Sequence, residues 1–319
     1  MSFFSGLLKQ LRPGSGPAKK SKNLSAASSD EVDHWNEIER RGRAGERLFW
    51  LNHPRVAHHY YRKGLVDGLP WREWVVHEWG GPAEIALELG CGNGVALAET
   101  LRAGVARTGV GQDLDESRFL PGDAAKGQSI HFLAGDVNEI ELEKNKYDLI
   151  YALQSFHHFD AYDHIMEQVN GALTDRGYFV LDEFVGPPRF QWTDLQLSIT
   201  SQLLGLMPRH LRMYAHGIEK RAEGRSTPEQ VIAVCPSEAI RPDEMTSAFH
   251  RHFEAVHDKK LGGTIQHLLY SGIVHNFPDH NEQIDHMIDC VDGIETTLIE
   301  QGTLTSDFAL LIGRKRKGS

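Results

Sequence analysis

Residues 83–94 read AEIALELGCGNG, and this stretch decides the fold. Its first seven residues form a short apolar run interrupted only by Glu84 and Glu88, the texture of a buried parallel strand. Gly90, Gly92 and Gly94 follow at once. Glycines directly after such a strand let the backbone turn tightly into a helix and let a ligand lie against the main chain. A dinucleotide fingerprint would place its third glycine at position 95, where this chain has Val95. The spacing is therefore GxGxG, which counts against a nicotinamide or flavin cofactor.

Downstream the pattern alternates. A helix is predicted over 95–103, strands over 108–112, 130–134 and 147–153, a helix over 163–173 and a strand over 177–184. Alternating strands and helices predict a parallel sheet with right-handed crossovers. The alternation then stops. Residues 187–250 read as helices and loops, an insertion between two sheet strands. FEAVHDKKLG (253–262) resembles a further strand, 265–301 is mainly helical, and 307–316 closes the chain as a strand, which makes seven. Upstream, 13–30 is rich in Pro, Gly, Ser and Lys and reads as a flexible linker. Asp30 is placed to cap the charged helix after it, and helical stretches around 54–65 and 71–79 complete a helical cap over 31–82. The domain proper is expected to run from 83 to 319, with 187–250 as its lid.

The run ELGCGNG, Glu88 to Gly94, matches motif I of the class I S-adenosylmethionine (SAM)-dependent methyltransferases, and the resemblance extends beyond it. Asp113 in GVGQDLD ends the second strand nineteen residues after Gly94, where a carboxylate accepts hydrogen bonds from both ribose hydroxyls. Asp136 in FLAGDV follows the third strand, where family members place an acid near the adenine amino group. YDLIYALQSFHHF and LTDRGYFVLDEF resemble the family's fourth and fifth strands. These segments, in order over 84–184, imply an α/β fold. It is a Rossmann-like, mostly parallel seven-stranded sheet flanked by helices, with an N-terminal helical cap and a helical insertion after the fifth strand. The resemblance implies SAM as cofactor, held by Glu88, Gly90, Cys91, Gly92, Asn93, Gly94, Asp113, Leu114, Asp136, Val137 and Leu153.

The sulfonium of SAM is an activated methyl donor, so the protein mainly has to align a nucleophile with the methyl group. A general base helps only when that nucleophile carries a proton. His157 and His158, just past the fourth strand at the carboxyl edge of the sheet, are the catalytic candidates. The alternative is that one caps or packs the following helix and the pair only shapes the pocket. Asp182 and Glu183 end the fifth strand and either face substrate or bond to nearby backbone or to Arg189. Phe190, Trp192 and Tyr214 in the insertion either line the acceptor pocket or belong to plain core. A metal is disfavoured. No carboxylate follows the fourth strand until Asp160, and the eighteen histidines are scattered without a third ligand at recognisable spacing.

A net charge of −10 argues against non-specific nucleic-acid binding, which needs a basic field. No NPPY-like motif follows the fourth strand, where QSFH stands instead. No window has 18 consecutive apolar residues, so no stable membrane insertion is expected, and MSFFSGLLKQLR (1–12) reads as an amphipathic segment rather than a signal peptide. Cys91, Cys235 and Cys290 lie far apart without CxxC spacing, the usage of reduced thiols in a cytoplasmic protein. The N-terminal helices leave a homo-oligomer open. The expected function is methyl transfer from SAM to an oxygen or nitrogen of a small molecule, with a texture like that of methyltransferases of glycan or natural-product pathways. The alternatives are methylation of a macromolecule (RNA or protein) and a non-catalytic SAM-binding protein.

Overall fold

The computed structural model describes residues 26–316 apart from 117, 118, 120 and 121. The amphipathic segment expected over 1–12 and most of the expected linker lie outside the described residues. The described chain forms two compact units, and neither is continuous in sequence. One holds Gly64–Val185, Ala239–Lys260 and Phe308–Ser319; the other holds Met1–Lys63, Gly186–Glu238 and Leu261–Asp307.

The first unit contains the sheet apart from residues 261–262. Its strands are β1 (Ala83–Leu89), β2 (Ala106–Asp113), β3 (Ser129–Ala134), β4 (Tyr147–Leu153), β5 (Leu173–Phe184), β6 (Phe253–Gly262) and β7 (Phe308–Lys315), in the spatial order β3-β2-β1-β4-β5-β7-β6. The pairs β1–β2, β2–β3, β1–β4 and β4–β5 are parallel, while β7 runs antiparallel to β5. Leu87 sits opposite Val110 on one side and Ile150 on the other. A parallel strand covered on both faces must be apolar almost throughout. The central strand β4 obeys this, with every residue from Tyr147 to Ala152 buried. Because β2 and β4 flank β1, the strand order reverses there, and the carboxyl ends of β1 and β4 border the crevice in which such sheets bind ligands.

Helices α3 (Trp71–Trp79), α4 (Val95–Arg102), α5 (Tyr162–Ala172) and α8 (Pro242–His252) belong to this unit. Ile165, Met166 and Val169 of α5 share one core with Met245 and Phe249 of α8 and with Phe179 and Leu181 of β5. Strand β5 begins at Leu173, earlier than the expected 177. The segment TDRG looks like a turn, yet it forms an irregularity in an otherwise regular pairing. Tyr147 pairs with Leu173 and Leu149 with Tyr178, and the register shifts between. Asp148 supports the bulge, accepting from Thr174 Oγ1 at 2.9 Å and from the Glu84 N–H at 2.8 Å.

The second unit is helical, with α1 (Ala26–Arg43), α2 (Pro54–Lys63), α6 (Asp194–Leu206), α7 (Pro228–Ile232), α9 (Gln266–Tyr270) and α10 (Glu282–Glu300). Ion pairs link α2 to α10. Arg55 holds Asp289 through two bonds of 2.6 and 2.7 Å, and Lys63 reaches Asp292 at 2.6 Å. The Arg55 guanidinium, helped by His59, draws the Asp289 carboxyl down to about 2. Glu295, fully buried, accepts the N–H groups of Gly263, Ile265 and Gln266 and so organises the start of α9.

Two expectations need correction. Helix α1 covers Ala26–Arg43, so Asp30 lies inside it and residues 26–30 are helix rather than linker. The helices read as one cap divide between the units, α1 and α2 in one and α3 in the other, and the insertion divides likewise, with 186–238 in the helical unit and α8 in the sheet unit. Among the described residues, no helix is long and apolar enough to cross a membrane.

Candidate active site

The loop after β1 takes its shape from its glycines. Gly90, Gly92 and Gly94 have φ of 66°, 54° and 75°, the left-handed region that side chains resist. At Gly90 the contact is also too close for any other residue, since a Cβ there would lie 2.6 Å from the Cβ of Ser155. The loop's N–H groups are used in turn. Cys91 N–H donates to the Gln112 carbonyl at 2.9 Å, Gly92 N–H to Asp113 Oδ2 at 2.8 Å, and Val95 N–H to Asn93 Oδ1 at 3.0 Å. Gly94 caps α4.

Asp113 is buried at the end of β2, and its other oxygen accepts the Leu114 N–H at 2.8 Å. Asp136 is exposed and caps the short turn Val137–Glu139, accepting from the N–H and side chain of Asn138 at 2.9 and 2.8 Å. The side chain of Val137 goes into the hydrophobic core. Leu114 and Leu153 are half-buried and Cys91 is buried. Glu88 lies inside the sheet, where the Tyr151 hydroxyl donates to it at 3.2 Å. Burial pushes its carboxyl up to about 8 against the opposing pull of Arg72, so it carries its proton at neutral pH.

Two residues that sequence reasoning missed hold this framework together. Gln112, buried one position before Asp113, receives the Gly90 N–H at 3.4 Å and donates to the Gly135 carbonyl at 2.6 Å, joining the loops after β1 and β3. An amide amid the small residues of GVGQD was its only signal. Ser155, which follows β4, donates through Oγ to the Leu89 carbonyl at 2.8 Å and so binds the turn after β4 to the end of β1.

That turn carries the histidines. His157 is buried in the short helical turn Phe156–His158, and its Nδ1 lies 2.8 Å from Glu183 Oε2. Glu183 Oε1 accepts the N–H groups of Ser155 and Phe156, both at 2.6 Å. His158 is half-buried, its ring centroid 4.3 Å from that of His157. Glu183, itself fully buried, thus faces His157 and the turn. Asp182 accepts from Gln154 Nε2 at 3.3 Å, and its carbonyl takes the Gln154 N–H at 2.9 Å. Gln154 has φ of 53°, a conformation that surrounding structure must enforce. Arg189, the alternative partner read for the acids, instead donates to the Pro236 and Glu238 carbonyls in the helical unit.

Phe190, Trp192 and Tyr214 also belong to the helical unit, where all three are buried. Phe190 stacks on Trp192 at 5.0 Å and 10°, and both rings meet the edge of His267 at 6.0 Å.

The residues present fit an adenosyl ligand. A glycine loop after the first strand, a carboxylate at the end of the next strand and an exposed acid after the third strand follow in order along one sheet edge. Residues 87–181 match the Methyltransferase domain family. No curated protein matches the chain by sequence. Among solved structures the chain is similar to geranyl diphosphate C-methyltransferase from Streptomyces coelicolor A3(2), in complex with Mg2+, geranyl-S-thiolodiphosphate and S-adenosyl-L-homocysteine. The identity is 14%, 93% of this chain and 100% of that chain are covered, and the TM-score is 0.51. It is also similar to 1,6-didemethyltoxoflavin-N1-methyltransferase from Burkholderia thailandensis at 16% identity, with 94% and 95% covered and a TM-score of 0.44. At 14% identity the first likeness is one of fold.

Proposed function

We propose that this chain, a class I SAM-dependent methyltransferase by its matched domain and its fold, transfers a methyl group to an oxygen or nitrogen of a small-molecule acceptor. SAM supplies an electrophilic methyl on a cationic sulfur. The rest is the work of this chain's residues. Gly90 and Gly92, half-buried and without side chains, let the ligand lie against the main chain, Asp113 accepts from the ribose hydroxyls, and Asp136 serves the adenine end. Glu88, held protonated at neutral pH by burial, is a neutral acid beside the loop. His157, with His158 beside it, takes the proton from an acceptor that carries one, while Asp182 and Gln154 orient the acceptor.

The observation that carries this reading is the junction of two loops. Ser155 bonds to the Leu89 carbonyl, which brings the histidine turn against the glycine loop and supports a base near the donor. The net charge of −10 supports a small acceptor, because a nucleic-acid substrate calls for a basic field. The test is transfer of radiolabelled methyl from SAM into a fractionated cell extract, with Asp113→Ala as the control. Label is expected in a small-molecule fraction with the wild type alone. Label in RNA or protein refutes the acceptor class, and S-adenosylhomocysteine binding without transfer into any fraction favours a non-catalytic binding protein.

A further inference from the structure

We infer that Glu183 is a positioning residue for methyl transfer, fixing the His157 ring with its proton on Nδ1 and its lone pair on Nε2. The inference rests on the reading of His157 as the base. Asp182 and Glu183 are neighbours on β5, and successive strand residues point to opposite faces, so the two acids cannot share a role. Glu183 falls on the face of Phe179 and Leu181, both members of the hydrophobic core. A carboxylate placed there must be fully engaged or it destabilises the fold.

It is engaged by three donors from one turn. Oε1 receives the Ser155 and Phe156 N–H groups at 2.6 Å each, and Oε2 stands 2.8 Å from His157 Nδ1. An ionised carboxylate only accepts, so the ring nitrogen facing it must carry the proton. In the neutral ring the other nitrogen, Nε2, then has the lone pair that a base needs. The two backbone bonds hold the carboxylate plane still, so the ring is fixed in tautomer and in orientation together. Both the turn and the acid sit at the carboxyl ends of adjacent parallel strands, β4 and β5, where Leu153 pairs with Asp182.

Glu183→Gln separates this role from simple support of the turn. The amide oxygen can still take both backbone N–H groups, but the NH2 group would then face Nδ1 and donate to it. The ring proton must move to Nε2, which presents N–H instead of a lone pair. The measurement is the 15N signals of the His157 imidazole at alkaline pH with S-adenosylhomocysteine bound, assigned by comparison with His157→Ala. The wild type is expected to show Nδ1 protonated and the Gln variant Nε2 protonated. Methyl transfer in the Gln variant is expected to fall roughly a thousandfold or more, the scale of a wrong tautomer at a catalytic histidine, with S-adenosylhomocysteine affinity unchanged. A wild-type ring protonated on Nε2 overturns the inference, and that experiment needs no variant to fold. So does a Gln variant that keeps the wild-type tautomer, or one that swaps it yet transfers methyl at the wild-type rate while His157→Ala is inactive. If His157→Ala keeps full activity, the base reading fails, and the tautomer still reports whether Glu183 sets the ring.

Discussion

Replacing Asp113 by Ala removes the buried acid that the structure ties to the glycine loop through Gly92 and to its own strand end through Leu114. Two losses follow. A ribose diol donates two hydrogen bonds to an ionised acceptor, each contributing about 1.5–3 kcal/mol. After water enters the vacated space, the net loss in cofactor binding should be about 3–4 kcal/mol, or two to three decades in Kd. The second loss falls on the protein itself, since two backbone N–H groups lose their acceptor, at about 1 kcal/mol each in folding stability. Asp113→Asn keeps one acceptor oxygen and should fall between Ala and wild type on both counts. Titration calorimetry with S-adenosylhomocysteine reads the first quantity and denaturant unfolding the second. An Ala variant that unfolds earlier yet binds within about threefold of wild type would refute the ribose assignment. It would leave Asp113 as a loop anchor alone.

Gly90→Ala places a Cβ 2.6 Å from the Cβ of Ser155 at a residue with φ of 66°. The strain and the displaced turn should cost about 1–3 kcal/mol in unfolding and weaken S-adenosylhomocysteine binding; an unchanged melting curve with unchanged affinity contradicts the close packing of the two loops. Glu88 gives a pH signature. Its carboxyl is raised to about 8 in the fold, against about 4.3 in an unfolded chain. The folded state therefore holds the proton more tightly, and the stability tied to it is full below about pH 4.3 and lost as pH rises towards 8, with a slope approaching about 1.4 kcal/mol per unit. Glu88→Gln should match wild type near pH 4 and exceed it in unfolding free energy at pH 8, and parallel curves for the two proteins would rule out a buried protonated acid.

The elements were legible because their signals are local. AEIALEL is apolar enough to be a covered strand whatever lies beside it, and glycines at 90, 92 and 94 mark a turn that only they tolerate. The strands followed in the expected order for the same reason. The bulge of β5 was not legible, because TDRG is turn-like by composition and becomes strand only through Asp148 and the pairing with β4. Asp30 was misplaced because an acid before a periodic run looks like a cap, whereas helix already runs through it from Ala26. Gln112 and Ser155 carry no motif. Their roles arise from bonds to residues 22 to 66 positions away, such as Gly90 and Leu89.

The sequence by itself determined the sheet, its glycine loop, the acids at 113 and 136 and the histidine pair at 157 and 158, since each depends on a short window of chain. Only the tertiary structure decided which residues share a unit, joining 186–238 and 261–307 with the N-terminal helices. Only it turned Glu183 away from the role of its neighbour Asp182 and onto His157, 26 positions earlier. Burial and pairing across such separations depend on where the chain returns, and no local pattern of residues encodes that.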